Sequence, residues 1–183
     1  MTQTTQQFPE PAVSRFLFAD TRFAPVWLAV RLYVGYEWFM AGWEKLGNPV
    51  WTGAQSGLAV KGFLTAALAK TVGEHPDVSG WYASFIQDVA LPHSALFSHL
   101  IVYGEIAVGA ALILGLFTGI AAFFGVFMNL NYLFAGTVST NPILGVLGLF
   151  LVLAWRVAGW FGFDQFVLPA LGTPWQPGRL FKR

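Results

Sequence analysis

Apolar residues run along this chain in long blocks broken by single polar positions. Four blocks approach the ~20 residues needed to cross ~30 Å of hydrocarbon. They cover about 25–45, 97–117, 119–138 and 142–162, and each predicts a membrane-spanning helix. Pro25 and Pro142 stand where a helix start tolerates a missing N–H. Short links make the last three spans consecutive antiparallel neighbours.

Between the first two spans lies a longer polar–apolar stretch, 46–96. Leu58, Phe63, Leu64 and Leu68 interleaved with Lys61 and Lys70 predict an amphipathic helix over 57–70. Trp81, Tyr82, Phe85, Ile86 and Val89 opposite Gln87 and Asp88 predict a second over 80–91, with 73–77 a loop. Short aromatic helices of this kind lie on a membrane surface or cap a bundle. The expected fold is all-α: an integral membrane four-helix bundle with an extracytoplasmic amphipathic helical insert between helices 1 and 2. Residues 1–24 read as a cytoplasmic N-terminal tail, amphipathic over 14–23. They carry no signal-peptide pattern, so the first span reads as a retained helix. Residues 25–165 read as the membrane domain and 166–183 as a cytoplasmic C-terminal tail.

Arg15, Arg22, Arg179, Lys182 and Arg183 fall on the side of the termini, against Lys45, Lys61 and Lys70 on the other. That excess places both termini inside a cytoplasmic (inner) membrane crossed several times. Trp27, Trp43, Trp51, Trp81, Trp160 and Trp175 fall near the expected interfaces, as an aromatic belt does.

Composition narrows the picture. The 183 residues are 56% hydrophobic and only 10% charged, too little polar surface for a soluble domain. A net charge of +1 provides no field for nucleic acid. The absence of cysteine removes disulfides, thiol exchange, cysteine-ligated iron–sulfur clusters and thiolate zinc. His75, His93 and His99 lie outside the spans or at a span edge, so no bis-His haem or other metal site is indicated.

The remaining polar residues carry the candidate chemistry. Glu37, Glu105 and Asn129 sit near the middle of the first three spans. Arg31 lies about 9 Å and Arg156 about 6 Å towards the cytoplasmic side. A carboxylate at such depth costs roughly 2.5–3.5 kcal/mol. These groups are therefore expected to turn inward and satisfy one another or line a wet cavity. Two readings stay open. Buried Arg–Glu pairs can serve only to fix helix register, and two acids at one depth suit a proton site. Asn129 and Asn131 also suit interhelical hydrogen bonds. Ala107, Ala111, Gly115 and Gly119 form a ridge that would let helices approach closely.

Arg31-Leu-Tyr-Val-Gly-Tyr-Glu-Trp-Phe-Met-Ala-Gly-Trp-Glu-Lys45 resembles the first-helix signature of the DoxX/DoxD family. Gly104-Glu-Ile-Ala-Val-Gly109, Met128-Asn-Leu-Asn131 and Ala135-Gly-Thr-Val-Ser-Thr-Asn-Pro142 continue the likeness over about 24–165. DoxD-type members are described as the membrane subunit of thiosulfate:quinone oxidoreductase. The resemblance thus implies a quinone-linked oxidoreductase subunit that turns thiosulfate into tetrathionate, with quinone as a noncovalent electron acceptor. Arg31, Glu37, Glu105 and Asn129 would form its catalytic polar core. Lys45, Glu44, Thr140 and Asn141 would form a substrate mouth, since Lys45 and the start of the fourth span favour an anion. In this reading the hydroxyls and amide before Pro142 also suit a helix cap. Trp38 and Trp43, with Phe39 and Tyr132, would line a quinone slot. The alternative is a non-catalytic subunit of a larger respiratory or photosynthetic membrane complex. Both readings imply a second protein subunit beside the lipid bilayer. A small proton-coupled carrier is a third class.

Overall fold

A computed structural model describes residues 9–172. They form eight α-helices and no strand: α1 Ala12–Ala19, α2 Ala24–Leu46, α3 Leu58–Leu68, α4 Gly80–Phe85, α5 Ser94–Leu114, α6 Thr118–Phe134, α7 Asn141–Leu153 and α8 Asp164–Leu171. Thus the described part of the chain is all-helical. α2 lies along α5, α5 against α6, α6 against α7, and α7 returns to α2.

Each long helix has a local reason for its limits. Pro25 opens α2. α5 stops at Gly115, whose φ of 65° places it in the left-handed region, and Leu116 N–H reaches back to Ala111 O. α6 stops in the same way one turn after Tyr132: Gly136 has φ 69°, and Thr137 N–H bonds Tyr132 O. Lys70 Nζ donates to Gly136 O at 2.7 Å, a cation on the helix's negative end.

The fourth block departs from expectation. α7 ends at Leu153, and the chain continues to Trp160 as irregular turns. Arg156 sits in those turns, with Nη2 3.4 Å from Glu10 Oε1. The second insert helix also divides: α4 gives way to a π-turn at Ile86–Ala90. The expected tail boundary at 165/166 falls inside α8. Arg179, Lys182, Arg183 and Trp175 lie outside the described residues.

Two cores form. Trp27, Val34, Trp38, Val108, Leu112 and Leu151 build the one between the long helices. Val60, Leu64, Tyr82 and Ile86 build the other, which ties the insert to the end of α6 at Ala135. The outward faces of α5, α6 and α7 stay apolar and exposed, with Leu100, Ile120, Phe124, Phe127, Val146 and Leu149 among them. Apolar surface of that extent needs a nonaqueous neighbour. One described helix, α5, is long and apolar enough to cross a membrane. α2 is longer, but Arg31, Glu37, Glu44 and Lys45 interrupt it.

The glycines of the expected ridge do sit at close approaches: a Cβ at Gly115 would meet Gly162 Cα at 2.9 Å, and one at Gly119 would meet Trp155 Cβ at 2.5 Å. These neighbours lie in the turns after α7, however, and the close helix-on-helix contact falls elsewhere. On α2, a Cβ at Gly35 or Gly42 would meet the α5 backbone at Ile113 N or Ile106 N at about 3.0 and 2.9 Å. On α5, a Cβ at Gly109 would run into the Phe39 backbone. These three glycines seat α2 on α5. Ala107 and Ala111 instead line an open groove between α5 and α6.

Candidate functional site

Glu105 is 2% exposed at the centre of α5. Its Oε2 accepts from Lys45 Nζ at 2.7 Å, and its Oε1 accepts from the Tyr132 hydroxyl at 2.9 Å. Lys45 stands at the last turn of α2, and its side chain turns back down the helix. Nζ also donates to Ala41 O at 2.9 Å and sits 5.3 Å above the Trp51 ring. Three elements thus meet on one carboxylate. Charge-assisted hydrogen bonds from both sides offset the desolvation of the acid.

Tyr132 joins this triad to the groove. The groove holds about 530 Å³ and runs between α5 and α6, roofed by α3 and α4. Along α6 its lining extends from Phe117 to Tyr132, about 22 Å at the helical rise. No lining residue carries a charge, and the polar ones, Tyr82, Asn131 and Tyr132, gather at one end. The Tyr82 hydroxyl donates to Asn131 O at 3.0 Å and lies 3.1 Å from Asn131 Oδ1. Burial pushes this hydroxyl up to about 12.

None of the other expected site residues hydrogen-bonds Glu105. Arg31 is 1% exposed and binds backbone: Nη1 donates to Leu112 O at 2.8 Å and Nη2 to Phe161 O at 3.1 Å. It therefore ties the end of α5 to the 154–163 turns. Glu37 is half-buried and has no hydrogen bond or ion pair among the described residues. Asn129 is buried beside the core with neither amide atom partnered. Glu44 and Thr140 are exposed. The Thr140 side chain does not cap α7, and Asn141 Nδ2 donates to Thr137 O at 3.2 Å. Lys45 Nζ is engaged by Glu105 and the Ala41 carbonyl. Trp38 is packed in the core. Trp43 is exposed and stacks on Phe39 with centroids 5.8 Å apart. Of the four expected aromatics, Tyr132 alone lines the groove on α5 and α6.

Asp164 escaped the sequence reading. Its carboxylate accepts from Phe117 N at 2.6 Å and Thr118 N at 2.9 Å, capping α6 from a distance of 46 residues. The same contact holds Phe117 at φ 48°, a left-handed conformation unusual for an aromatic residue. Its charge also acts on the Arg31 guanidinium. It lies just past the last apolar block, at the very end of the expected membrane domain, where the hydropathy pattern gives it no partner.

An all-helical chain with an apolar outer surface and a buried acid–lysine–tyrosine triad has the build of a small membrane protein. The DoxX family signature matches residues 26–138, more than half of the chain, and the chain belongs to that family. Among curated proteins and solved structures, none matches.

Proposed function

We propose that α2, α5, α6 and α7 form a four-helix transmembrane bundle in the cytoplasmic membrane, with residues 46–96 as an extracytoplasmic insert and both termini inside. The apolar outward faces support this reading, and so do Arg15 and Arg22 beside the first span. Within it, the chain acts as a quinone-binding subunit of a membrane oxidoreductase. The observation that carries this is Tyr132, which lines a charge-free apolar groove and donates its hydroxyl to a buried carboxylate.

The groove residues fit a neutral, ring-bearing lipid: apolar and aromatic walls, with few polar groups at one end. A quinone, when bound, supplies two-electron, two-proton redox chemistry. Tyr132 orients a ligand oxygen at the polar end and moves a proton between the groove and Glu105 Oε1. Lys45 holds Glu105 Oε2 throughout. Gly104, Ala107 and Ala111, with little or no side chain, would leave room there for a flat ring. Electron delivery falls to a second subunit, since the chain has no cysteine for thiol chemistry of its own. Thiosulfate is the donor to test first on family grounds, although Lys45 is already paired.

Binding of a short-chain benzoquinone to the purified protein in nanodiscs tests the reading through quenching of tryptophan fluorescence. Wild type binds, Ala107→Phe, which fills the groove, does not, and Tyr132→Phe binds about tenfold more weakly. In the assembled complex, Tyr132→Phe and Glu105→Gln lower thiosulfate-driven quinone reduction by about 10²-fold or more. Equal binding by Ala107→Phe would remove the groove as the site. Unchanged turnover in both variants would favour the non-catalytic subunit.

A further inference from the structure

The outward face of α2 carries polar groups at a depth where hydrocarbon offers them no partner. Tyr33 and Tyr36 are 44% and 57% exposed, and Glu37 is half-buried. None of the three has a hydrogen bond or ion pair among the described residues. Helical spacing puts Tyr33, Glu37 and Glu44 on one line and Tyr36, Met40 and Trp43 on the next. Intramembrane acids pair or face an aqueous cavity almost without exception, and tyrosines prefer the headgroup level. The outer faces of α5, α6 and α7 pair no acid with exposed tyrosines in this way: α5 exposes one tyrosine, Tyr103, stacked on His99, and Val146, Leu149 and Leu153 of α7 are apolar.

We propose that this stripe is the face on which two copies of the chain associate, a proposal that rests on reading α2 as a membrane span. A parallel two-fold dimer brings residues of equal depth together. Tyr36 lies within about 1.5 Å of the depth of Glu37, and Tyr33 about 6 Å away. Each copy therefore presents phenolic donors at the level where the other presents a carboxyl acceptor. Trp43 and Glu44 repeat the donor–acceptor arrangement about 10 Å further out. The stripe is self-complementary, so a second copy satisfies it without any group from a foreign chain. Arg31, the cation nearest in depth, is already bound to carbonyls of its own chain and does not compete for Glu37.

The chain has no cysteine, so single-cysteine variants report cleanly. Tyr33→Cys, Tyr36→Cys, Met40→Cys and Trp43→Cys are compared with Phe124→Cys on the apolar face, in proteoliposomes diluted in lipid. A disulfide requires Cα atoms within about 7 Å. Oxidation is expected to give covalent dimer from at least one α2 position and none from Phe124→Cys. In the cysteine-free background, Glu37→Leu with Tyr36→Leu is expected to weaken dimerisation at least tenfold by single-molecule photobleaching. No α2 cross-link above the Phe124→Cys control would overturn the proposal. So would a dimer indifferent to the double change, or a cross-link in native membranes to a different protein alone. A water-soluble maleimide separates the two levels of argument. Labelling of Tyr36→Cys without detergent means that α2 is outside the bilayer and the bundle reading fails. Neither label nor cross-link leaves the bundle intact and removes the dimer.

Discussion

Lys45 Nζ and Glu105 Oε2 meet at 2.7 Å across α2 and α5, 60 residues apart in sequence. Removing one partner leaves the other buried and unpaired, which typically costs about 3–5 kcal/mol. Lys45→Met is therefore expected to lower thermal stability in detergent markedly. Lys45→Met with Glu105→Gln should regain much of the loss, because the neutral amide is cheaper to bury. A double-mutant cycle on the unfolding midpoint reads this coupling, and additive losses would show that the pair is not energetically linked.

The glycines of the α2–α5 seam should be intolerant in proportion to the backbone they face. Gly109→Ala forces a methyl into the Phe39 backbone and is expected to cost about 1–3 kcal/mol or to displace α2. Gly62, inside α3, has open space around its missing side chain. Gly62→Ala is expected to be neutral or to stabilise by up to about 1 kcal/mol through helix propensity. Parallel melting curves distinguish the two.

Asp164 should matter more than its place near the C-terminus suggests. Its carboxylate takes two backbone N–H groups at the start of α6. Asp164→Ala removes two charge-assisted hydrogen bonds, each worth about 1.5–3 kcal/mol. It should destabilise the protein and raise hydrogen exchange at Phe117 and Thr118. Asp164→Asn should retain part of the cap.

Alkaline pH should loosen the insert before the rest. Tyr82 ionises near 10 when unfolded and is pushed up to about 12 by burial in the fold. Between those values the unfolded chain has lost the proton that the folded chain still holds, so stability falls as pH rises from 10 to 12. Tyr82→Phe, lacking that proton, should show a flatter stability profile over this window in circular dichroism. The same variant gives up the hydroxyl's bond to Asn131 and starts from lower stability at neutral pH.

Much of the architecture was legible because hydropathy blocks and punctuation are local. α2 and α5 fall within a few residues of their blocks, and Pro25, Gly115 and Gly136 mark ends through backbone geometry alone. α7 fell short because an apolar block does not reveal where a helix loosens into turns, as it does around Arg156. The π-turn at Ile86–Ala90 has no signature in the amphipathic pattern. In the site, depth along a span singled out Glu105, and the rim pattern singled out Lys45. Their union was not visible, since Lys45 was expected to face outward to an anion.

By itself, the sequence determined which segments avoid water, where several of their ends lie, and which polar groups are costly enough to need a partner. Tertiary structure decided who the partners are. A helix wheel gives direction only relative to its own axis, and the rotation of each helix comes from packing. Gly35, Gly42 and Gly109 seat α2 so that Lys45 reaches Glu105 while Glu37 is turned to the flank. Arg31 and Asp164 found backbone, which no pattern of side chains advertises, because every residue carries the same carbonyl and amide and only the fold exposes a few of them unpaired.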